Sequence, residues 1–318
     1  MIEQAAAVIG QAVLILLFSP LITGFSRTLK ARLQTRRGPG LLQPYRELYK
    51  LFRKGMVIPD TASWIFTATP HVLFTTTLLA GLLMPTISVQ VPLSLIGGVL
   101  AVVYLLALGR FFLALGGLDT GSSFGGLGSS REMTISAIAE PALMLAVFTV
   151  ALGAGSTNLS LIAQAAVGQS WRFLAPSQML AFAALFIVVI AETGRIPVDN
   201  PSTHLELTMI HEAMILEYSG PYLALIEWSA SMKQMVLMTL LVNVFFPYGL
   251  SADGSLASLV ISVSLFIAKL LILAFALVLV ETGNAKLRLF RVPELLAVAF
   301  VLSALALIST FLFGGFGG

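Results

Sequence analysis

The sequence predicts an all-α polytopic membrane protein with about eight transmembrane helices and amphipathic helices at its cytoplasmic face. Three observations carry that prediction. The 318 residues are 58% hydrophobic and only 10% charged, whereas roughly a quarter of a soluble domain is charged. Mean hydropathy is +0.96, more apolar surface than a soluble fold of this size can hide, so the bilayer is the natural solvent. The apolar residues also fall into runs of the length that a ~30 Å hydrocarbon core requires.

The predicted spans run, in order, over roughly 4–25, 69–88, 94–115, 132–153, 177–194, 233–250, 257–282 and 294–314. The first has no basic region before it and no clear small-residue cleavage site after it, so it reads as a retained helix rather than a signal peptide. A glycine- and serine-rich loop, Gly116 to Ser130, joins the third and fourth. The fifth runs into a charged segment. Residues 1–318 then form a single integral membrane domain, with 26–68 and 195–232 as the cytoplasmic loops. No internal repeat or inverted half is visible, which weighs against a secondary transporter.

The basic residues set the orientation. The loop after the first span holds Arg27, Lys30, Arg32, Arg36, Arg37, Arg46, Lys50, Arg53 and Lys54. Placing it in the cytoplasm brings Arg131, Arg195, Lys233, Lys286, Arg288 and Arg291 to the same side, which accounts for fifteen of the eighteen lysines and arginines. Both termini then face the periplasm or the exterior. Within this loop, Leu29, Leu33, Leu48, Leu51 and Phe52 are spaced as in two short amphipathic helices around a turn at Arg36, Arg37, Gly38, Pro39 and Gly40. Glycine permits unusual backbone angles and proline fixes one. Two readings of the loop are compatible, a headgroup anchor and a docking surface for a soluble partner.

Composition excludes several classes. The chain has no cysteine, and iron–sulfur and nickel–iron centres need sulfur ligands, so any such centre belongs to a partner. A formal charge of +3 gives no reason to expect nucleic acid. His204 and His211 are seven residues apart on a helical stretch, but two histidines without a third ligand fit a zinc site poorly.

Nine of the fifteen acidic residues lie between Asp119 and Glu227. Glu140 falls eight residues inside the fourth span, ~12 Å deep by helical rise. Glu192 ends the fifth span. Glu281 ends the seventh, ~18 Å along the helix from Lys269, too far for direct contact. A charge at the bilayer centre costs ~2.5–3.5 kcal/mol or more, so such residues turn inward, pair and serve a function. A desolvated carboxylate also favours its protonated form and can trade protons. Structural helix gluing is the alternative for Lys269 and Glu281, and Arg110 reads equally as a structural partner to a buried acid. Between Glu192 and Glu227 polar residues alternate with Leu205, Leu207, Met209, Ile210, Met214, Ile215 and Leu216, so the segment is expected to be buried against something.

These residues carry a family resemblance. Four motifs hold it: Arg36-Arg37-Gly38-Pro39-Gly40; Arg110 through Leu118-Asp119-Thr120-Gly121-Ser122; Ser130-Arg131-Glu132 followed by Glu140-Pro141; and Glu192-Thr193-x-Arg195-x-Pro197-x-Asp199 ending at Glu217-Tyr218-Ser219-Gly220. Together they resemble the membrane subunit shared by respiratory complex I and the energy-converting hydrogenases. Leu118 to Ser122, Gly155 to Asn158 and Ala285 to Leu289 look nearer the formate hydrogenlyase and hydrogenase-type branch. The acidic run that complex I members carry after the fifth helix reads Ser202-Thr203-His204-Leu205-Glu206 here, which leaves a quinone site open.

The resemblance implies a division of labour. A soluble hydrogenase-like large subunit and a small iron–sulfur subunit do the redox chemistry, with clusters and, as an option, a nickel–iron site. This chain binds no cofactor of its own. It docks the soluble arm and links it, through a chain of carboxylates, to antiporter-like membrane subunits in a bacterial or archaeal plasma membrane. The relay candidates are Glu132, Glu140, Glu192, Glu206 and Glu217, with Lys269 and Glu281 added from depth. The docking candidates are Arg27, Arg32, Arg36, Arg37, Gly38, Pro39, Gly40, Asp119, Arg195 and Asp199. A quinone-binding subunit, a stand-alone proton or sodium transporter and a mere anchor are the alternatives.

Overall fold

The computed structural model describes residues 2–87, 98–168, 175–199, 209–249 and 256–314, with side chains described for 8–87, 98–165, 175–199, 209–249 and 260–312. The helices are α1 (Ile2–Leu33), α2 (Gln43–Phe52), α3 (Trp64–Leu82), α4 (Val99–Asp119), α5 (Ser123–Ala154), α6 (Leu159–Gly168), α7 (Pro176–Glu192), α8 (His211–Ile215), α9 (Gly220–Phe245), α10 (Leu256–Gly283) and α11 (Val292–Gly314). A 3₁₀ turn, Leu289–Arg291, precedes α11. Among the described residues there is no β-strand, only an isolated bridge between Gly98 and Asn158.

Each predicted span has its helix. Six of these, α1, α3, α4, α5, α10 and α11, are long and apolar enough to cross a membrane by length and composition alone. The other two are α7, apolar but only 17 residues long, and α9, which carries Glu227 and Lys233. Their burial explains both exceptions. Every side chain of α9 from Gln234 to Phe245 is buried, the pattern of a helix enclosed on all sides. α9 packs on α1, α2, α3, α7 and α10, while α11 fits against both α5 and α7. Along the outside, α10, α1, α3, α4, α5 and α11 pack consecutively, whereas α10 and α11 share little packing with each other among the described residues.

The structure corrects four boundaries. The segment Gly116 to Ser130 is almost wholly helical, interrupted only between Asp119 and Ser123. Its glycines are contact points, not loop formers. A Cβ on Gly125 would strike the carbonyl oxygen of Gly117, one on Gly116 would strike the Tyr218 hydroxyl, and one on Gly128 would lie 2.9 Å from the carbonyl oxygen of Ile210. Small residues let membrane helices approach this closely. The first of the two short helices expected after the first span is the continuation of α1 to Leu33, so only α2 stands alone. The helix expected over 233–250 begins at Gly220, where Pro221 occupies the first turn, and ends at Phe245, just before Pro247, which has no N–H to extend it. The loop expected over 195–232 is shortened accordingly, and Lys233 moves from the basic end into the interior of α9.

The Arg36–Gly40 turn folds back on α1. Gly38 packs so closely that a Cβ there would lie 2.7 Å from the Ala31 Cβ, and Thr28 Oγ1 donates to the Pro39 carbonyl at 2.8 Å. At the base of α3, Asp119 accepts hydrogen bonds from Ser63 N (2.7 Å), Ser63 Oγ (2.6 Å) and Phe66 N (3.2 Å), so the end of α4 caps the start of α3. Nearby, Tyr218 stacks on Phe66 with ring centroids 4.0 Å apart. Burial pushes the Tyr218 hydroxyl above its ordinary value, and it donates to the Phe66 carbonyl at 3.2 Å.

If the Gly117–Gly125 contact sets the α4–α5 spacing, Gly125→Ala lowers stability by about 1–3 kcal/mol, the cost of overpacking a close contact. Gly126→Ala, where a Cβ meets nothing within 4 Å, leaves it unchanged. Thermal melting of the two purified variants compares them directly.

A buried ion cluster as candidate functional site

Arg110 sits just past the middle of α4 with its side chain 7% exposed. A guanidinium buried in this setting must find carboxylates. It finds three, two on α5 and one on α7. Its Nη2 is 2.9 Å from Glu192 Oε2, its Nη1 3.1 Å from Glu140 Oε1 and its Nε 3.9 Å from Glu132 Oε1. Lys233 of α9 completes the group, with Nζ 2.8 Å from the same Glu192 oxygen. Glu132 and Glu140 are eight residues apart on α5, ~12 Å along its axis, so Arg110 bridges two levels of one helix.

The cluster is unevenly satisfied. Arg110 Nε and Nη1 lie at ion-pair distance from their carboxylates but make no aligned hydrogen bond among the described residues. Beside them is a cavity of ≈ 80 Å³ whose lining includes Arg110, Glu132, Glu192, Lys233, Asp199 and His211. A cavity of this size has room for several waters, since one needs only ~10–15 Å³ of such space. Glu192 is almost fully buried, whereas the Glu140 side chain is 36% exposed. The cluster therefore begins inside the helix bundle and ends at its edge.

A second ion cluster holds the basic end together. Glu281 on α10 is buried and pairs with Lys30 of α1 (3.3 Å) and with Arg195 (3.0 Å). Asp199 pairs with Lys286 at 3.0 Å and accepts from the backbone of Ile210 (3.3 Å) and His211 (3.4 Å). Arg195 and Asp199 turn inward and tie the end of α7 to Glu281 and Lys286, and to the start of α8. Lys269 stands apart from both clusters: its Nζ donates to the Phe246 carbonyl at 2.7 Å, at the C-terminal end of α9, where a cation suits the helix dipole.

The remaining predicted residues lie on the surface or beyond the described chain. Arg27 pairs with Glu47 at 2.8 Å across α1 and α2. Arg32, Arg36, Arg37, Pro39 and Gly40 are exposed, and Glu217 is exposed with no ion pair among the described residues. Glu206 and His204 lie outside the described residues. Among those described, no group of three or more His, Asp or Glu side chains could hold a metal ion. Sequence reasoning missed Lys233, whose helix boundary was misplaced, and Lys30 and Lys286, which were counted only as orienting charges. A cation inside an apolar helical run was the available signal for Lys233.

Comparison with known proteins identifies the family of the chain. Residues 6–312 match the family described as NADH dehydrogenase. Hydrogenase-4 component C of Escherichia coli (strain K12) is 37% identical over 94% of this chain and 93% of its own length. Formate hydrogenlyase subunit 4 of the same organism is 35% identical over 94% and 96%. A subunit of the NADH-quinone oxidoreductase of Rubrobacter xylanophilus is 29% identical over 73% and 71%. A chain of the membrane-bound sulfane sulfur reductase, an archaeal respiratory membrane complex, shares the fold with a TM-score of 0.79 at 22% identity, over 95% of this chain and 98% of its own.

Removing one partner from a buried pair leaves an uncompensated charge and costs about 3–5 kcal/mol. Glu281→Gln strands Lys30 and Arg195, and a loss near the lower end of that range is expected, read as a lower melting temperature. An unchanged melting temperature would show that the basic end does not depend on this clamp.

Proposed function

The chain belongs to the NADH dehydrogenase family, and from that premise we propose that it couples a soluble redox arm to ion translocation, most simply of protons, as a membrane subunit of a hydrogenase-like complex. The Arg110 cluster is the observation that carries this reading. Three carboxylates face two cations in a low-dielectric bundle. One negative charge is in excess when all are ionised, so taking up a single proton restores balance, and releasing it costs a reorganisation that neighbouring charges can drive.

The layout supplies a direction. The cavity reaches from Asp199 and His211, near the basic end, to Glu192 and Arg110. From Arg110 the next carboxylate is Glu140, at the edge of the bundle, where a neighbouring antiporter-like subunit would receive the proton. The basic end, with its exposed Arg32, Arg36 and Arg37 and the fixed Arg36–Gly40 turn, is the docking face for the soluble large subunit and its iron–sulfur partner. Positive-inside orientation puts that face in the cytoplasm and both termini outside. A redox change in the docked arm acts on the α7–α8 segment, which the Asp199 and Arg195 contacts tie to the bundle.

The greater identity to the hydrogenase-4 and formate hydrogenlyase proteins supports the hydrogenase-type branch over the quinone alternative.

Glu140→Gln keeps the shape of the cluster and removes its transferable proton. In the purified complex, soluble-arm electron transfer to a dye is expected to continue at its normal rate. Ion translocation into liposomes should fall by roughly a hundredfold, the scale of a lost proton-transfer group. Undiminished translocation in this variant would sink the proposal.

A further inference from the structure

Phe290 is the most exposed large hydrophobic side chain among the described residues, at 89%. It occupies the middle of the 3₁₀ turn Leu289–Arg291, with Arg288 just before the turn and Arg291 closing it. Both guanidinium groups are exposed, and neither has an ion pair or side-chain hydrogen bond among the described residues. Their neighbours differ: Lys30 and Arg195 are engaged by Glu281, and Lys286 by Asp199. The nearest acid in sequence is Glu294, exposed in the first turn of α11.

This turn is held in place. Leu287 N donates to the Pro197 carbonyl at 2.9 Å, and Arg291 N to the Arg288 carbonyl at 2.8 Å. The Lys286–Asp199 pair pins the chain just before it. A large apolar ring between two free cations is therefore presented on a fixed support. The turn also joins the two most apolar candidate spans, which are among the least buried. α10 rests on α1 and α9 while α11 rests on α5 and α7, so the turn connects two helices that pack on different neighbours. Below it, Phe275 and Leu279 of α10 and Val298 of α11 are exposed.

We infer that the α10–α11 turn is a binding site for an anionic phospholipid, with Arg288 and Arg291 on the phosphate and the Phe290 ring at the headgroup–acyl boundary. The acyl chains then lie along the outer faces of α10 and α11. A phospholipid offers both things the turn lacks, an anion for the two arginines and an apolar layer for the ring. Arginine recognises phosphate through paired N–H donors, and aromatic rings favour this depth of the bilayer. The inference is independent of the proposed ion-translocating function.

The test uses the whole purified complex. In nanodiscs of phosphatidylcholine doped with phosphatidylglycerol, native mass spectrometry should find phosphatidylglycerol retained by the wild-type complex. At ~1 kcal/mol per basic residue near an anionic surface, R288Q/R291Q should weaken that retention roughly thirtyfold. R288K/R291K, which keeps both positive charges at the turn, should keep most of it. A Phe290→Trp variant should be quenched by lipids brominated on the acyl chain. Equal retention in R288Q/R291Q overturns the inference. Competition by inorganic phosphate at the same concentration as the lipid reduces the site to a simple anion site and also overturns it. So does an unquenched tryptophan shielded from lipid, which would mean that a partner protein covers the turn.

Discussion

A guanidinium cannot be left unpaired among apolar helices, and the neutralisation of Arg110 is the constraint on which the rest of this structure depends. The three acids it requires come from two other helices, Glu132 and Glu140 from α5 and Glu192 from α7, and Glu192 draws in Lys233 from α9. Four helices must therefore bring polar side chains to one place. They can meet only if their backbones approach closely, which is what Gly116, Gly117, Gly125 and Gly128 permit where α4 and α5 meet their neighbours. The glycine-rich stretch and the buried charges solve one problem together.

The same cluster resists being read as stabilisation alone. A well-packed apolar core of equal volume would cost less than a buried ion group. Here the donors of Arg110 are incompletely aligned, a cavity adjoins them, and the acid count exceeds the base count. Such features leave room for a proton and a path for it. The Glu281 clamp differs in kind. It is compact and joins α1, α10 and the segment after α7 at a single point, so it ties the basic end to the bundle that contains the Arg110 cluster.

Much of the fold was legible because a bilayer restricts the choices. Backbone groups in hydrocarbon must bond within their own helix, so each long apolar run became a helix. Boundaries were less legible where composition misleads. Gly116 to Ser130 looks like a loop by residue type, yet its glycines exist to admit neighbouring backbones and not to bend the chain. The start of α9 was hidden because Glu227 and Lys233 resemble loop residues until a surrounding bundle is present to neutralise them. For the candidate site, depth along a predicted helix singled out Glu140 and Glu192, and the family resemblance added Glu132.

By itself the sequence determined the solvent of this protein, the order of its long apolar helices, its basic end, the lack of cysteine thiolates and the carboxylates worth asking about. Those follow from composition and local periodicity, which need no knowledge of neighbours. Only the tertiary structure decided who pairs with whom: that Arg110 is the hub, that Lys233 shares Glu192, that Arg195 and Asp199 face inward and that Lys269 caps a helix end away from the cluster. Pairing energies depend on distance and on excluded water, and both arise only when segments far apart in the chain are packed against one another.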